Sequence, residues 1–130
     1  MSPERAVEIR NTTRGSYPRI PFERIAHELL GARYRLSLVI CGDALAKKMN
    51  STYRKKRYSP NVLSFPLGKF EGEIFLNIRV AAREAKHFGV SMRARLALLF
   101  AHGCMHLKGM KHGTRMESVE ERIVKKFART

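Results

Sequence analysis

No apolar run in this sequence approaches the roughly 18 residues that a membrane-crossing helix needs, which argues against a transmembrane helix. Behind Met1-Ser2-Pro3-Glu4-Arg5 there is no apolar core of the kind a secretory signal carries. Cysteine is nearly absent. Cys41 and Cys104 are too few for a disulfide framework, so a cytoplasmic setting is the default expectation. Acidic residues are scarce too, 11 Asp and Glu against 26 Lys and Arg, for a formal net charge of +15. Such an excess favours a polyanionic partner, either nucleic acid or an anionic membrane. A membrane surface would call for a basic amphipathic helix with large apolar residues exposed, and none stands out, so no membrane partner is expected. Internal repeats and low-complexity segments are also missing. A length of 130 residues suits one domain, 1–130, whose core needs no disulfide staples.

What is present reads as alternating strands and helices. Residues 6–11 alternate weakly, as an edge strand does. Residues 22–30 are apolar at 22, 25, 26, 29 and 30, a helix with Pro21 at its tolerated first-turn position and Gly31 as its stop. Residues 34–41 begin by alternating and become fully apolar, like a strand entering a core. Two strands joined through a helix predict a right-handed crossover and a parallel pair. Gly42-Asp43 supplies an N-cap for a helix over 44–53, which runs out into Arg54-Lys55-Lys56-Arg57, the densest basic cluster of the chain. Taken alone, that cluster is equally well a solvated helix end. Beyond Tyr58-Ser59-Pro60, strands are predicted over 61–66 and 72–77, joined by a hairpin or wider loop. A helix over 78–88 stops at Gly89, Ser91 caps a long central helix, and an amphipathic helix carrying Met116, Val119, Ile123, Val124 and Phe127 follows His112-Gly113-Thr114.

The chemistry concentrates at the end of the central helix. His102 and His106 are four residues apart and share a helix face. Gly109 can turn the chain there, because glycine adopts positive φ without steric cost, and that turn can return His112 to the same point. Three imidazoles meeting at one point with a fourth position open are the coordination pattern of catalytic zinc. The spacing H-x-x-x-H-x-x-G-x-x-H matches metzincin metalloproteases, but their glutamate after the first histidine is Gly103 here. A peptidase would lack its general base, which makes that reading a minor alternative. Glycine inside a helix costs up to about 1 kcal/mol relative to alanine, so close approach of another backbone or of substrate is expected at Gly103. Cys104 points to another face and reads as a buried hydrophobe, while His27 and His87 read as surface residues without a role.

The residues resemble a known family, the YbeY endoribonucleases, also described as rRNA maturation factors. Their hallmark, close to H-G-x-L-H-L-x-G-x-D-H, reads here His102-Gly103-Cys104-Met105-His106-Leu107-Lys108-Gly109-Met110-Lys111-His112. A second block pairs Tyr53-Arg54 with Asn61-Val62-Leu63-Ser64-Phe65-Pro66, and Gly72-Glu73-Ile74 follows. The resemblance implies an α+β fold, with a small mixed, mostly parallel sheet packed with helices around a central metal-bearing helix. It implies a single Zn2+ on His102, His106 and His112, and a functional arginine at Arg54. The implied activity is metal-dependent cleavage of single-stranded RNA in rRNA maturation and ribosome quality control, with the ribosome or small-subunit proteins as partners. Two positions depart from the family pattern: Lys111 replaces an aspartate and Pro60 a threonine, so a carboxylate contact near the ligands is lost or replaced.

Zinc on three histidines leaves room for a water whose pKa falls toward about 7, and an arginine fork stabilises phosphoryl oxygens. Arg54 is the choice for that fork, and Lys108 and Lys111 would add positive potential for an anionic substrate. Glu73 could be a general base only if its strand faces the metal; pairing with a nearby Lys or Arg is the preferred reading. The alternatives are a non-catalytic RNA-binding factor with a structural metal, and a zinc hydrolase of another anionic substrate.

Overall fold

The computed structural model describes residues 6–128, so the expectation drawn from residues 1–5 lies outside the described part. Along it the chain forms β1 (Val7–Asn11), α1 (Phe22–Leu30), β2 (Arg35–Cys41), α2 (Asp43–Arg54), β3 (Val62–Gly68), β4 (Glu71–Asn77), α3 (Ile78–Phe88), α4 (Met92–Leu107) and α5 (Thr114–Phe127). The four strands make one sheet in the order β1-β2-β4-β3. β1 runs parallel to β2 and β2 parallel to β4, while β3 and β4 form an antiparallel hairpin. The expected α+β class, with a mixed and mostly parallel sheet, is what the chain adopts.

The loss of alternation in β2 has a direct cause. Its two sides are both covered, so side chains of either parity are buried. Leu38 and Ile40, beside Ile74 and Leu76 of β4, face a core shared with α1, α4 and α5. Val39 and Phe75 lie on the opposite side, in a smaller cluster with Ala46 of α2 and Leu63 of β3. The central helix α4 buries Leu96, Ala97, Leu99, Phe100, Ala101, Gly103, Cys104 and Met105, and it packs against α1, α3, α5 and the β3-β4 hairpin.

Several caps fall where the residues predict and two do not. Ser91 Oγ accepts the Ala94 N–H at 3.0 Å, as expected of an N-cap. Pro21 is itself the N-cap residue of α1 rather than its first-turn residue. Gly42, not Asp43, caps α2, and the Asp43 carboxylate turns away from its own helix. It accepts hydrogen bonds from both terminal nitrogens of Arg83 (2.9 and 3.1 Å), from Asn77 Nδ2 (3.1 Å) and from Ser59 Oγ (3.1 Å). A charge-assisted guanidinium fork is a stronger partner than the helix's own amides, so the side chain goes there. Asn77 caps α3 through Oδ1, and its Nδ2 also donates to the Pro60 carbonyl at 3.1 Å.

Gly103 is indeed at a close approach, though of side chains rather than of backbone or substrate. A Cβ there would sit 3.1 Å from each of Val62 Cγ2, Ser64 Oγ and Ile74 Cδ1. Ser64 Oγ donates to the Gly103 carbonyl at 2.9 Å. Without a side chain at this turn, α4 lies flush on the hairpin.

Two expectations follow. Gly103→Val should lower the urea-unfolding free energy by about 1–3 kcal/mol, because β-branched bulk must displace three packed side chains. Arg83, first among its partners, holds the Asp43 carboxyl at about 2, below its ordinary value of 3.8. A depressed carboxyl contributes stability above its unfolded pKa and loses it as pH falls through the folded value. The melting-temperature difference between wild type and Arg83→Ala should therefore be largest above about pH 4 and shrink toward about pH 2. The pair is partly exposed, so added salt should diminish the difference throughout.

Candidate metal centre

The last turns of α4 bring His102 and His106 over one another, with ring centroids 4.5 Å apart. The helix then closes through a Schellman turn: the Met110 N–H donates to the Met105 carbonyl at 3.0 Å and the Gly109 N–H to the His106 carbonyl at 2.9 Å. Gly109 takes φ +82°, the left-handed conformation that the sequence assigned to it. The reversed chain carries His112 back, and its ring centroid lies 4.6 Å from that of His102 and 4.8 Å from that of His106. One nitrogen from each of the three rings falls within 4.8 Å of the others, a set able to hold a metal ion. Among the described residues no fourth side chain joins them.

The tautomer at His102 is set by a residue outside the motif. Glu120, on α5, lies with Oε1 2.6 Å from His102 Nδ1, and both side chains are mostly buried. The carboxylate can accept only from Nδ1–H, which orients the ring so that Nε2 faces His106 Nε2 at 2.9 Å. Burial lowers the His106 pKa below its ordinary value, and the charges of His102, His112 and Arg54 push the same way. Neutral imidazoles are the form a metal requires, so the donor set fits a borderline cation such as zinc.

The cluster opens into a cleft of about 460 Å³ between the end of α2, β3, α4 and the start of α5. Arg54, the last residue of α2, reaches it. Its Nη2 donates to the Ser64 carbonyl at 3.2 Å, and its guanidinium carbon lies 5.9 Å from the centroid of Phe65. Among the described residues it has no carboxylate partner. A second cleft arginine, Arg95, is different: Nε and Nη2 both donate to Glu84 Oε1, at 3.0 and 2.9 Å, and Asn61 Nδ2 donates to the same carboxylate. Arg95 is therefore neutralised in place and Arg54 is not.

Other sequence-predicted residues fall elsewhere. Glu73 lies on the sheet face opposite Ile74 and α4, where it accepts from Ser37 Oγ at 3.3 Å, and it does not line the cleft. Lys108 and Lys111 are exposed beside the histidine turn and do not line the cleft either. His27 and His87 are exposed and apart from the cluster. Cys41 and Cys104 are buried free thiols; burial raises both pKa values, that of Cys41 to about 11. Glu120 was the residue not foreseen. Its signal is an acid set within the apolar stripe of α5, between Met116 and Ile123.

The profile of the family described as Endoribonuclease YbeY matches residues 9–128. The chain belongs to the YbeY family. Endoribonuclease YbeY of Nautilia profundicola is 39% identical over 99 residues, covering 71% of this chain and 71% of that protein. The protein of the same name from Aromatoleum aromaticum is 31% identical over 129 residues, covering 93% of this chain and 83% of its relative. In fold, this YbeY-family chain is similar to the solution structure of TM1509 from Thermotoga maritima, with a TM-score of 0.65 at 20% identity, over 92% of this chain and 87% of that one. In this chain the carboxylate that buttresses the cluster is Glu120 of α5.

Removing that buttress should loosen the site without unfolding it. Glu120→Gln is expected to weaken zinc affinity by about 10–100-fold, measured by competition with a chromophoric chelator, with the far-ultraviolet circular dichroism unchanged.

Proposed function

We propose that this chain is a single-domain, zinc-dependent endoribonuclease that cleaves single-stranded RNA, acting in the cytoplasm in rRNA maturation and ribosome quality control alongside the ribosome or small-subunit proteins. The observation that carries the reading is the unneutralised Arg54 guanidinium beside three clustered imidazoles in a chain of net charge +15. The family name carried by its relatives supports the same activity. No helix among the described residues is long and apolar enough to cross a membrane.

His102, His106 and His112 would hold the metal, and zinc bound there would act as a Lewis acid toward phosphoryl oxygen and water. The chain's own groups do the rest. Glu120 keeps the His102 proton on Nδ1, away from the ligand side. Ser64 occupies one N–H of Arg54 and so fixes the plane of the guanidinium, leaving its other N–H groups for phosphoryl oxygens. Charge accumulates on those oxygens as the phosphodiester breaks, and a preoriented cation stabilises it without reorganisation. Val62, Leu98, Leu99 and Met116 line the wall and limit water around that charge. A peptide substrate would make no comparable use of Arg54.

Protein reconstituted with Zn2+ should cut an unstructured rRNA fragment, and chelation or His106→Ala should abolish the cutting. Arg54→Ala should lower kcat by about a hundredfold with a much smaller loss of RNA affinity. Intact RNA, or cutting that survives His106→Ala, would sink the nuclease reading. Salt-sensitive binding without any cutting would leave an RNA-binding factor in its place.

A further inference from the structure

The rings around the cleft are not equivalent. Tyr53 is 65% exposed but packs edge-on against Phe65 at 5.5 Å, which in turn meets Phe75 at 5.8 Å, and it does not line the histidine cleft. Tyr58 lines the histidine cleft, is 58% exposed, and among the described residues meets no other ring, no cation and no hydrogen-bond partner through its phenol. A tyrosine ring this exposed, with no aromatic partner, offers a face for stacking.

Its backbone, by contrast, is pinned. Asn50 is fully buried, and its Nδ2 donates to the Tyr58 carbonyl at 3.0 Å. Ser59 Oγ donates to the Asp43 carbonyl at 2.9 Å, and the Pro60 carbonyl accepts from Asn77 Nδ2 at 3.1 Å. Three consecutive residues are thus tied to α2 and to the end of β4, while the ring of the first of them lines the cleft. Four basic residues, Arg54-Lys55-Lys56-Arg57, immediately precede it, and all are exposed. An aromatic face on a fixed backbone beside a run of cations is the combination that holds an unpaired nucleotide: base on the ring, phosphates on the cations. In a duplex the bases are already stacked on one another and present no free face.

Resting on the endoribonuclease reading above, we propose that Tyr58 is the stacking platform for an unpaired nucleobase of the strand bound in the histidine cleft, and that it gives the site its preference for single strands. The platform is a binding element; the reacting phosphate is left to the histidine side of the cleft and to Arg54. Because the ring has no aromatic, cation or phenol hydrogen-bond partner among the described residues, its removal should cost the bound strand far more than the fold.

The chain contains no tryptophan, so Tyr58→Trp places a single fluorescent reporter at the platform. Its emission should be quenched on saturation with an unstructured oligouridylate, saturation being followed by anisotropy of the labelled strand, and not by a fully paired RNA duplex of equal length. With Zn2+-loaded protein, Tyr58→Ala should raise KM for the unpaired strand by about tenfold or more, with little change in kcat and none in melting temperature, and Tyr58→Phe should recover the loss. Unchanged emission at saturating oligouridylate, equal quenching by the duplex, or an unchanged KM in Tyr58→Ala overturns the platform. If wild type binds the strand without cutting it, the nuclease reading fails by itself, and the emission change still decides whether Tyr58 stacks.

Discussion

The arrangement depends on how closely α4 lies on the β3-β4 hairpin at Gly103. That residue follows His102 directly and precedes His106 by three positions, so the separation of helix and sheet there sets where both rings stand. Val62, Ser64 and Ile74 occupy the space a side chain would need. Ser64 then works in two directions: its hydroxyl donates to the Gly103 carbonyl and its own carbonyl accepts from Arg54. One strand residue therefore locates the metal-ligand helix and the arginine relative to each other. A helix interior would ordinarily disfavour glycine by about 1 kcal/mol, and the contact with the hairpin offsets this.

Charge is sorted with similar economy inside the cleft. Arg95 and Glu84 cancel and stiffen one wall, with Asn61 binding the same carboxylate. Glu120 is committed to His102 Nδ1, which orients that ring with Nε2 toward the other imidazoles. What is left uncompensated is Arg54, exposed at the rim beside three more basic residues. An anion entering the cleft meets a single unpaired guanidinium on a rigid support, which is a more selective arrangement than a diffuse positive surface.

Much of the architecture was readable from residue order because local rules act there. The periodicity of α1, α3 and α5, the Ser91 cap, the Gly109 turn and the fully apolar end of β2 each follow from a few adjacent residues. The errors arise where distant groups compete. Asp43 looks like an N-cap until Arg83, forty residues on, offers a stronger partner. Glu73 sits in a strand whose parity relative to α4 cannot be known before the register of β2 and β4 is set. At Gly103 the need for close approach was legible, but not what approaches, since the neighbours come from a hairpin some thirty to forty residues earlier.

By itself, then, the sequence determined the histidine cluster, with two rings on one helix face and a turn that returns the third, because helix pitch and glycine's left-handed freedom are local properties. It also determined the family and the net positive charge. Only the tertiary structure decided that Glu120 buttresses His102 from behind, that Arg95 is paired with a carboxylate and Arg54 is not, and that Tyr58 lines the cleft while Tyr53 packs on Phe65. Each of those depends on which side chains from separate elements come within hydrogen-bond or packing distance, and no spacing along the chain encodes that.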